Sequence, residues 1–265
     1  MVLQNKNAII YGAAGSLGSE IAKAFAAAGA RVFLTGRHIE VLNQVADQIK
    51  ASGGMAESDE VDASDEAAIV KHINKVIQQS GAVDISFNLT GTEVVQDIPL
   101  VDMSVKDFIQ PITISMQTRF LTAVAAAKVM MNQRSGVILS LTATPGGIGY
   151  PYTGGFAPTC SAIESLSRNL AAELGVYGVR VINIRSAGSP DSRMFKEAID
   201  NHPDIMAPVL HKMKADTMLK ELPPMADIAN VAIFLASELA KSITGVTVDV
   251  TAGTTASLNY HVRNP

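Results

Sequence analysis

The sequence predicts an α/β fold built on a doubly wound parallel sheet of about seven strands, with helices on both faces. Short apolar runs of strand length alternate with segments of helical period along all 265 residues. The apolar runs are nearly continuous, as expected for strands that are buried on both faces. No repeat, low-complexity tract or linker interrupts the alternation, so residues 1–265 are predicted to form a single domain.

The individual elements follow from these two periods. The predicted strands are Ala8–Tyr11, Arg31–Thr35, Met55–Val61, Val83–Asn88, Val137–Leu141, Arg180–Arg185 and Val246–Val250. The predicted helices are Leu17–Ala28, Ile39–Ser52, Asp65–Gln79, Val105–Asn132, Ala162–Tyr177 and Met225–Ser237. Gly29, Gly81 and Gly178 stand where left-handed helix caps are expected.

Composition and charge exclude several classes of function. The net charge is −4 and no basic run occurs, which argues against nucleic acid as a partner. A single cysteine and the lack of a Cys/His cluster argue against a disulfide or a metal site. The charge-free stretch Ser135–Ile163 holds three prolines and six glycines, so it predicts a strand and a loop and not a membrane span. We expect a cytoplasmic protein that acts on a small molecule.

A glycine-rich turn follows the first strand and leads directly into a helix. It contains Gly12, Gly15, Ser16, Leu17 and Gly18. Glycines permit a tight turn and a close backbone approach, and the helix N-terminus offers amides and a positive dipole to a phosphate. The position of the motif between a strand and a helix therefore predicts a dinucleotide site.

The end of the second strand predicts which dinucleotide binds. An NAD site would place a carboxylate there for the ribose 2′-hydroxyl, but the chain continues Gly36-Arg37-His38. The planar guanidinium of Arg37 suits a 2′-phosphate, which favours NADP over NAD. The alternative is that Arg37 is a solvated residue at the start of a helix.

An irregular segment, residues 188–224, separates the sixth strand from the last helix and is dense in Met, Pro and Lys. In an open parallel sheet, an excursion after the carboxyl end of a strand lies over the ligand crevice. We therefore expect a substrate lid, helical at Arg193–Asp200 and Ile205–Leu219. A surface insertion without a catalytic role is the alternative.

Further landmarks resemble the short-chain dehydrogenase/reductase family over nearly the whole chain. They are Val61-Asp62, Asn88-Leu89-Thr90-Gly91, Ala162–Leu174, Gly178–Val181 and Ile228–Gly245, in the order in which that family carries them. The resemblance implies a Rossmann-like domain in which Asp62 contacts the adenine and Asn88 and Gly91 border the cofactor. It also implies a homodimer or homotetramer assembled through the long fourth and fifth helices.

The same resemblance shows a departure at the catalytic positions. Counted from the matching segments, the places of the family's Ser, Tyr and Lys hold Ala143, Phe156 and Cys160, and that of its Asn holds Ser115. In the family the Tyr donates a proton, the Lys lowers the Tyr pKa and holds the ribose, and the Ser binds the carbonyl oxygen. Alanine and phenylalanine carry no such group, and an unactivated thiol is mostly neutral.

Other residues could replace these groups. Thr142 precedes Ala143, and Tyr150 and Tyr152 lie in the following loop, so these three are the candidate proton donors. Arg185 stands in the sixth strand where the family has a small residue. It either clamps a cofactor or an acidic substrate, or pairs with a carboxylate at the surface. For Cys160 a small apolar filler is favoured over a nucleophile, because no histidine is near it in sequence.

Three functions are compatible with these observations. The first is an NADP-dependent oxidoreductase that acts on a small apolar substrate without the Tyr/Lys pair, for example on an iminium, a quinone or a conjugated C=C. The second is a catalytically inactive nucleotide-binding sensor or partner subunit. The third, which has the least support, is a non-redox enzyme.

Overall fold

The computed structural model describes residues 1–256, and the last nine residues of the predicted domain lie outside the described residues. Seven strands are found: β1 Asn7–Tyr11, β2 Arg31–Gly36, β3 Met55–Glu60, β4 Ile85–Asn88, β5 Gly136–Ala143, β6 Val179–Ser186 and β7 Thr247–Val250. Eight α-helices accompany them: α1 Ser16–Ala27, α2 Ile39–Ala51, α3 Glu66–Ser80, α4 Val105–Gln133, α5 Phe156–Leu174, α6 Arg193–Asn201, α7 Pro203–Asp216 and α8 Met225–Ala236.

All seven strands form one parallel sheet in the order β3-β2-β1-β4-β5-β6-β7, which confirms the predicted fold class. Alternate residues of each strand enter two separate cores. Ala8 and Ile10 of β1 pack with α1, α2 and α8 on one face. Ile9 and Tyr11 pack with α3, α4 and α5 on the other. The alternation of side chains along a strand therefore builds both layers from one apolar run.

Helix α5 begins at Phe156, six residues before the predicted start at Ala162. The predicted start was wrong, because the first turn of the helix contains Pro158 and begins well before Ala162. A proline in the first turn is tolerated, since the N–H that it lacks would have no acceptor within the helix. The correction places Phe156 and Cys160 one turn apart on α5.

The strand order reverses between β1 and β4, so the carboxyl ends of these two strands border the crevice expected to bind a ligand. The turns after β2 and β3 lie on one side of this crevice, and those after β5 and β6 lie on the other. Within residues 1–256, no helix is both long enough and apolar enough to cross a bilayer.

Candidate active site

The glycine turn after β1 has a shape that only glycine fits. Gly12 has φ +78°, and a Cβ there would lie 2.8 Å from the carbonyl carbon and oxygen of Leu89. A Cβ on Gly18 would lie 2.2 Å from the carbonyl oxygen of Gly12. The turn is therefore pressed against both the chain after β4 and its own helix, which lets a ligand approach the backbone closely.

The N-terminus of α1 is open to an anion. Its N-cap residue is Gly15, so no side chain caps the helix, and Ser16, Leu17 and Gly18 form the first turn. Amides in a first turn have no acceptor within the helix and carry the positive end of the helix dipole. The Ser16 hydroxyl accepts a hydrogen bond from the backbone N–H of Arg193, 3.1 Å away, which joins the turn to the start of α6. The geometry fits a pyrophosphate.

Arg37 and Asp62 are exposed beyond the ends of β2 and β3. Among the described residues, Arg37 makes no hydrogen bond or ion pair. The Asp62 carboxylate accepts from the backbone N–H and the hydroxyl of Ser64, at 2.8 and 2.7 Å. These bonds and then the charge of Arg37 hold the pKa of Asp62 below its ordinary value. Asp62 is thus ionised and Arg37 is available to a ligand.

Asn88 has no free amide group to offer a ligand. Its nitrogen donates to the Thr118 carbonyl and the Thr122 hydroxyl, at 3.2 and 2.9 Å. Its oxygen accepts from the backbone N–H and the hydroxyl of Thr90, at 3.0 and 2.7 Å. The Asn88 side chain therefore fixes the turn that leads to Gly91, and the expectation that this turn borders the cofactor stays a prediction. A Cβ on Gly91 would meet no atom within 4 Å, so that position is open.

The end of β5 brings Ala143 and Cys160 together. Ala143 is the last residue of β5, and its backbone lies close enough to the Cys160 thiol to oppose part of the rise of its pKa. Cys160 is 2% exposed, and burial raises the pKa of its thiol. Phe156 is half-buried one turn earlier on α5. Ser115 is buried on α4, where its carbonyl accepts from the Thr118 hydroxyl, 3.1 Å away. Cys160 is therefore a neutral filler and not an activated nucleophile.

Thr142 cannot donate a proton into the crevice as expected. Its hydroxyl donates to Glu164 Oε1 at 3.0 Å and accepts from the Asn183 amide at 2.7 Å. The side chain is 4% exposed. Adjacent strand residues face opposite ways, and that of Thr142 faces α5. The structure thus assigns Thr142 to the sheet interior.

Tyr150 and Tyr152 lie in the loop between β5 and α5, with 40% and 55% of their surface exposed. Neither phenol forms a hydrogen bond with another described residue. The Tyr152 backbone has φ +60°, and its carbonyl accepts from the Asp97 N–H, 2.9 Å away. These two tyrosines are the phenols that remain free in this part of the described chain.

A chain of polar side chains crosses β5, β6 and β7 on the face covered by α5. Arg185 binds both oxygens of Glu164, at 3.0 and 2.6 Å, and Asp249 at 2.8 Å. Burial alone would lower the Arg185 pKa, but these carboxylates raise it. Arg185 is therefore paired within the protein, which corrects the idea that it clamps a cofactor or an acidic substrate.

The loop after β5 is seated on this ion pair. A Cβ on Gly146 would lie 2.5 Å from Glu164 Oε1, and one on Gly147 would lie 2.6 Å from a guanidinium nitrogen of Arg185. The sequence carried a signal for the network, because its members recur at every second strand position: Ser140 and Thr142, Asn183 and Arg185, Thr247 and Asp249.

Arg119 is a second site residue that sequence reasoning missed. It lies on α4, is 9% exposed, and donates to the hydroxyl and the carbonyl of Thr90, at 3.2 and 3.0 Å. Its Nε has no hydrogen-bond partner, and no carboxylate of the described residues lies within ion-pair distance. Burial lowers its pKa to about 10, and its charge interacts with Cys160. The available signal was a cation in the middle of α4, far from the other two cations of the helix, Lys106 and Lys128.

The 188–224 segment contains α6 and α7, close to the two predicted helices, and neither helix buries a residue. The Asp191 carboxylate accepts from the Met225 N–H at 3.1 Å, which ties the start of the segment to α8. Phe195 and Met213 pack on Gly188, where a Cβ would lie 2.6 and 2.8 Å from their side chains. The segment is thus held at its base and is superficial elsewhere.

Comparison with known proteins gives matches over almost the whole chain. A family model described as enoyl-(acyl carrier protein) reductase matches residues 12–255. The 7alpha-hydroxysteroid dehydrogenase of Escherichia coli (strain K12) is 31% identical over 257 residues, which span 97% of each chain. The 3alpha-hydroxysteroid dehydrogenase of Mediterraneibacter gnavus is 29% identical over 252 residues, 94% of this chain and 97% of the relative. The solved structure of levodione reductase has the same fold, with a TM-score of 0.88 at 24% identity over 96% of this chain and 99% of that one.

Proposed function

Because the chain belongs to the short-chain dehydrogenase/reductase family, whose members bind nicotinamide dinucleotides, we propose that it is an NADP-dependent oxidoreductase. In this proposal it transfers a hydride to or from a small apolar substrate by a mechanism that lacks the family's Ser/Tyr/Lys set. The chain 1–265 acts as one nucleotide-binding domain in the cytoplasm, and residues 188–224 form its substrate lid.

The observation that carries the proposal is the free guanidinium of Arg37 beside the open N-terminus of α1. A pyrophosphate on the first-turn amides would place the adenosine half over the ends of β2 and β3. There Arg37 would bind a 2′-phosphate through its planar fork, and Asp62 would accept a hydrogen bond from the adenine. No carboxylate stands directly after β2 to favour NAD.

The reaction must proceed without a proton from the end of β5. Ala143 and Phe156 have no proton to give, the Cys160 thiol is buried, and the hydroxyl of Thr142 is engaged with Glu164. The bound NADPH would supply a hydride and be oxidised. An iminium carbon that receives the hydride becomes an amine and needs no proton. A quinone or an enone forms an anion delocalised over the substrate, which solvent or the phenol of Tyr150 or Tyr152 protonates.

Two features support an apolar substrate under a lid. The segment carries exposed apolar side chains, among them Met194, which is 72% exposed. Two of the relatives named above are hydroxysteroid dehydrogenases, and a steroid is an apolar small molecule. A lid with few buried residues can open at little cost to the fold.

Assembly as a homodimer or homotetramer is part of the same proposal. The outer surface of α4 exposes Val105, Ile109 and Phe120, at 79%, 45% and 50%. Exposed apolar groups along one helix favour burial against a second copy. Sedimentation velocity would test it: a monomer at micromolar concentration would contradict the assembly.

A catalytically inactive nucleotide-binding protein is the second candidate. It is favoured by one observation, namely that the hydroxyl nearest the end of β5, that of Thr142, is satisfied on both sides by Asn183 and Glu164. Such a protein would bind the nucleotide with the same residues and report it through the 188–224 segment, which contacts Ser16 through Arg193.

The test is a titration of NADPH and NADH into the pure protein, followed by nicotinamide fluorescence. We expect NADPH to bind more tightly than NADH. Arg37→Ala should weaken NADPH binding about tenfold or more, the loss of charge-assisted hydrogen bonds to a phosphate, and leave NADH within about twofold. Lys50→Ala, which removes a cation near the end of α2, is the matched control.

A screen of iminium, quinone and enone substrates then separates the two candidates. NADPH oxidation with any of them supports the oxidoreductase. Tight binding without turnover across all three classes supports the inactive protein. If neither nucleotide binds, both candidates are wrong.

A further inference from the structure

We infer that Arg119 binds the nicotinamide half of the dinucleotide, supplying from α4 the positive charge that position 160 lacks. The inference rests on the proposed function, because it assigns a residue to the other end of the same ligand. It adds a specific binding residue that the sequence patterns did not identify.

The charge of the buried Arg119 guanidinium has no carboxylate partner among the described residues. A guanidinium has five N–H donors, and that of Arg119 uses two of its nitrogens on Thr90 and, at 3.4 Å, on the Thr118 hydroxyl. Its Nε is buried without a partner, and the described residues place no carboxylate beside it. Buried charges in proteins are normally paired, because desolvation of an isolated ion is costly. The acceptor for this cation is therefore expected to come from a ligand.

The second argument is position. Thr90 receives the Arg119 guanidinium, and its backbone nitrogen lies 2.9 Å from a Cβ built on Gly12. Arg119 is thus one residue removed from the glycine turn, at the point where the strand order reverses. A dinucleotide lies across this point, with one half on each side. Arg37 and Asp62 border the β2–β3 side, so the other half must pass over the ends of β4 and β5.

The third argument is the neighbourhood of Cys160. The charges of Arg119 and Arg185 both act to lower the pKa of this thiol, so both guanidinium groups lie in its neighbourhood. Arg185 is bound by Glu164 and Asp249 and is not available to a ligand. Arg119 has no such partner among residues 1–256, so it is the cation in this corner that can bind the hydroxyl or amide oxygens of a nicotinamide riboside.

The experiment compares two ligands that differ by the nicotinamide half. NADPH carries it, and 2′,5′-ADP, a fragment of the adenosine half, does not. The dissociation constant of 2′,5′-ADP divided by that of NADPH measures what the nicotinamide half contributes. We expect Arg119→Met to lower this ratio about tenfold or more, with 2′,5′-ADP affinity within about twofold of the unmodified protein. Arg37→Ala should do the reverse, weakening both ligands alike and leaving the ratio unchanged.

A stability measurement separates binding from a structural role. Removing an unpaired buried charge should not lower the urea midpoint of the nucleotide-free protein. Arg119→Gln, which keeps an amide donor for Thr90 and removes only the charge, should lower the ratio as Arg119→Met does. If Arg119→Met does not fold, Arg119→Gln decides.

Each outcome has one meaning. A ratio unchanged in the variant that folds, or one near unity in the unmodified protein, overturns the inference while the proposed function stands. An equal loss of both ligands together with a lower urea midpoint overturns it too, because Arg119 would then only support the fold. Failure of the unmodified protein to bind either ligand rejects the proposed function itself.

Discussion

The two halves of the carboxyl edge of the sheet use their polar side chains in opposite ways. Beyond β2 and β3, Arg37 and Asp62 point into solvent and retain groups that a ligand can bind. At the ends of β5, β6 and β7, Thr142 and Arg185 are bound to Glu164, and Arg185 is also bound to Asp249. A polar residue near this crevice can thus serve a ligand only where it is exposed or where its partners leave a donor or acceptor unused.

Arg119 lies between these halves and belongs to neither pattern. It is buried like the β5–β7 network but, like Arg37, it has no ion-pair partner among the described residues, and its Nε has no hydrogen-bond partner. This contrast explains why we assign Arg119, and not Arg185, to the ligand, although both are cations near Cys160.

The largest effect is expected from a substitution of Glu164, which joins Thr142 and Arg185 in the paired half. Glu164→Ala leaves Arg185 with only Asp249 and removes the acceptor of Thr142, so we expect the free energy of unfolding to fall by about 3–5 kcal/mol. Urea denaturation measures this, and Glu173→Ala, an exposed carboxylate on the same helix, is the control. Affinity for 2′,5′-ADP should stay within about twofold where the variant is folded. Equal stability of the two variants would contradict a structural network.

In the half that is open to a ligand, a substitution of Gly18 is expected to weaken nucleotide binding. Gly18→Ala places a Cβ 2.2 Å from the Gly12 carbonyl oxygen, so the turn must shift. We expect NADPH affinity to fall at least about tenfold, because the first-turn amides move from the pyrophosphate. Gly175→Ala, where a Cβ meets no atom within 4 Å, should bind normally. Unchanged affinity in Gly18→Ala would mean that the nucleotide does not use this turn.

The rate at which Cys160 reacts with a thiol reagent measures how far the end of β5 is closed to solvent. It is the only cysteine, so labelling with a thiol reagent reports on it alone. Because the side chain is 2% exposed and burial raises the pKa of the thiol, we expect labelling at pH 8 to be at least about tenfold slower than in urea. Equal rates would show that the end of β5 is open to solvent.

The smallest effect is expected in the loss of stability at low pH that accompanies protonation of Asp62. Its folded-state pKa lies below 3.8 because of bonds from Ser64, so its contribution to stability is present above the unfolded pKa and lost as pH falls through the folded value. Ser64→Ala should move that loss to higher pH, with little change at pH 7. Carboxyl NMR titration measures the shift, and an unmoved Asp62 pKa would show that the Ser64 hydroxyl does not contribute and that the backbone N–H of this residue suffices.

Much of the fold could be predicted, because period and burial are properties of single segments. The seven strands and their parallel direction follow from continuous apolar runs that alternate with helices. The start of α5 was missed because a proline was read without its position in the first turn. The glycine turn was predictable for the same local reason: strand, turn and helix are contiguous.

A residue that acts alone is the part of a site that a sequence can best predict. The type and place of Arg37 predict a cation after β2, which the structure shows to be exposed, and its contact with a 2′-phosphate stays a prediction. The fate of Thr142 and Arg185 depended on Glu164, which lies 21 residues from Arg185 and on another element. The position of Asn88 after the fourth strand could not show that its four hydrogen-bonding positions are used by Thr90, Thr118 and Thr122. Hydrogen-bond saturation is a property of the folded chain and is not visible in one segment.

The base of the 188–224 segment has a practical consequence. The segment leaves the sheet after β6 and ends at α8, where the Asp191 carboxylate accepts a hydrogen bond from the Met225 N–H. Near its end, the backbone N–H groups of Met218 and Leu219 both donate to the carbonyl of Ala252. Helices α6 and α7 bury no residue, and the entropic cost of closing a loop rises only slowly with its length. The stretch between these hydrogen bonds can therefore be replaced by another sequence at little cost to the stability of the fold. If the segment is the proposed substrate lid, replacing it with that of a relative should change the choice of substrate, and keeping the start of α6 would preserve the bond from Arg193 to Ser16 in the glycine turn.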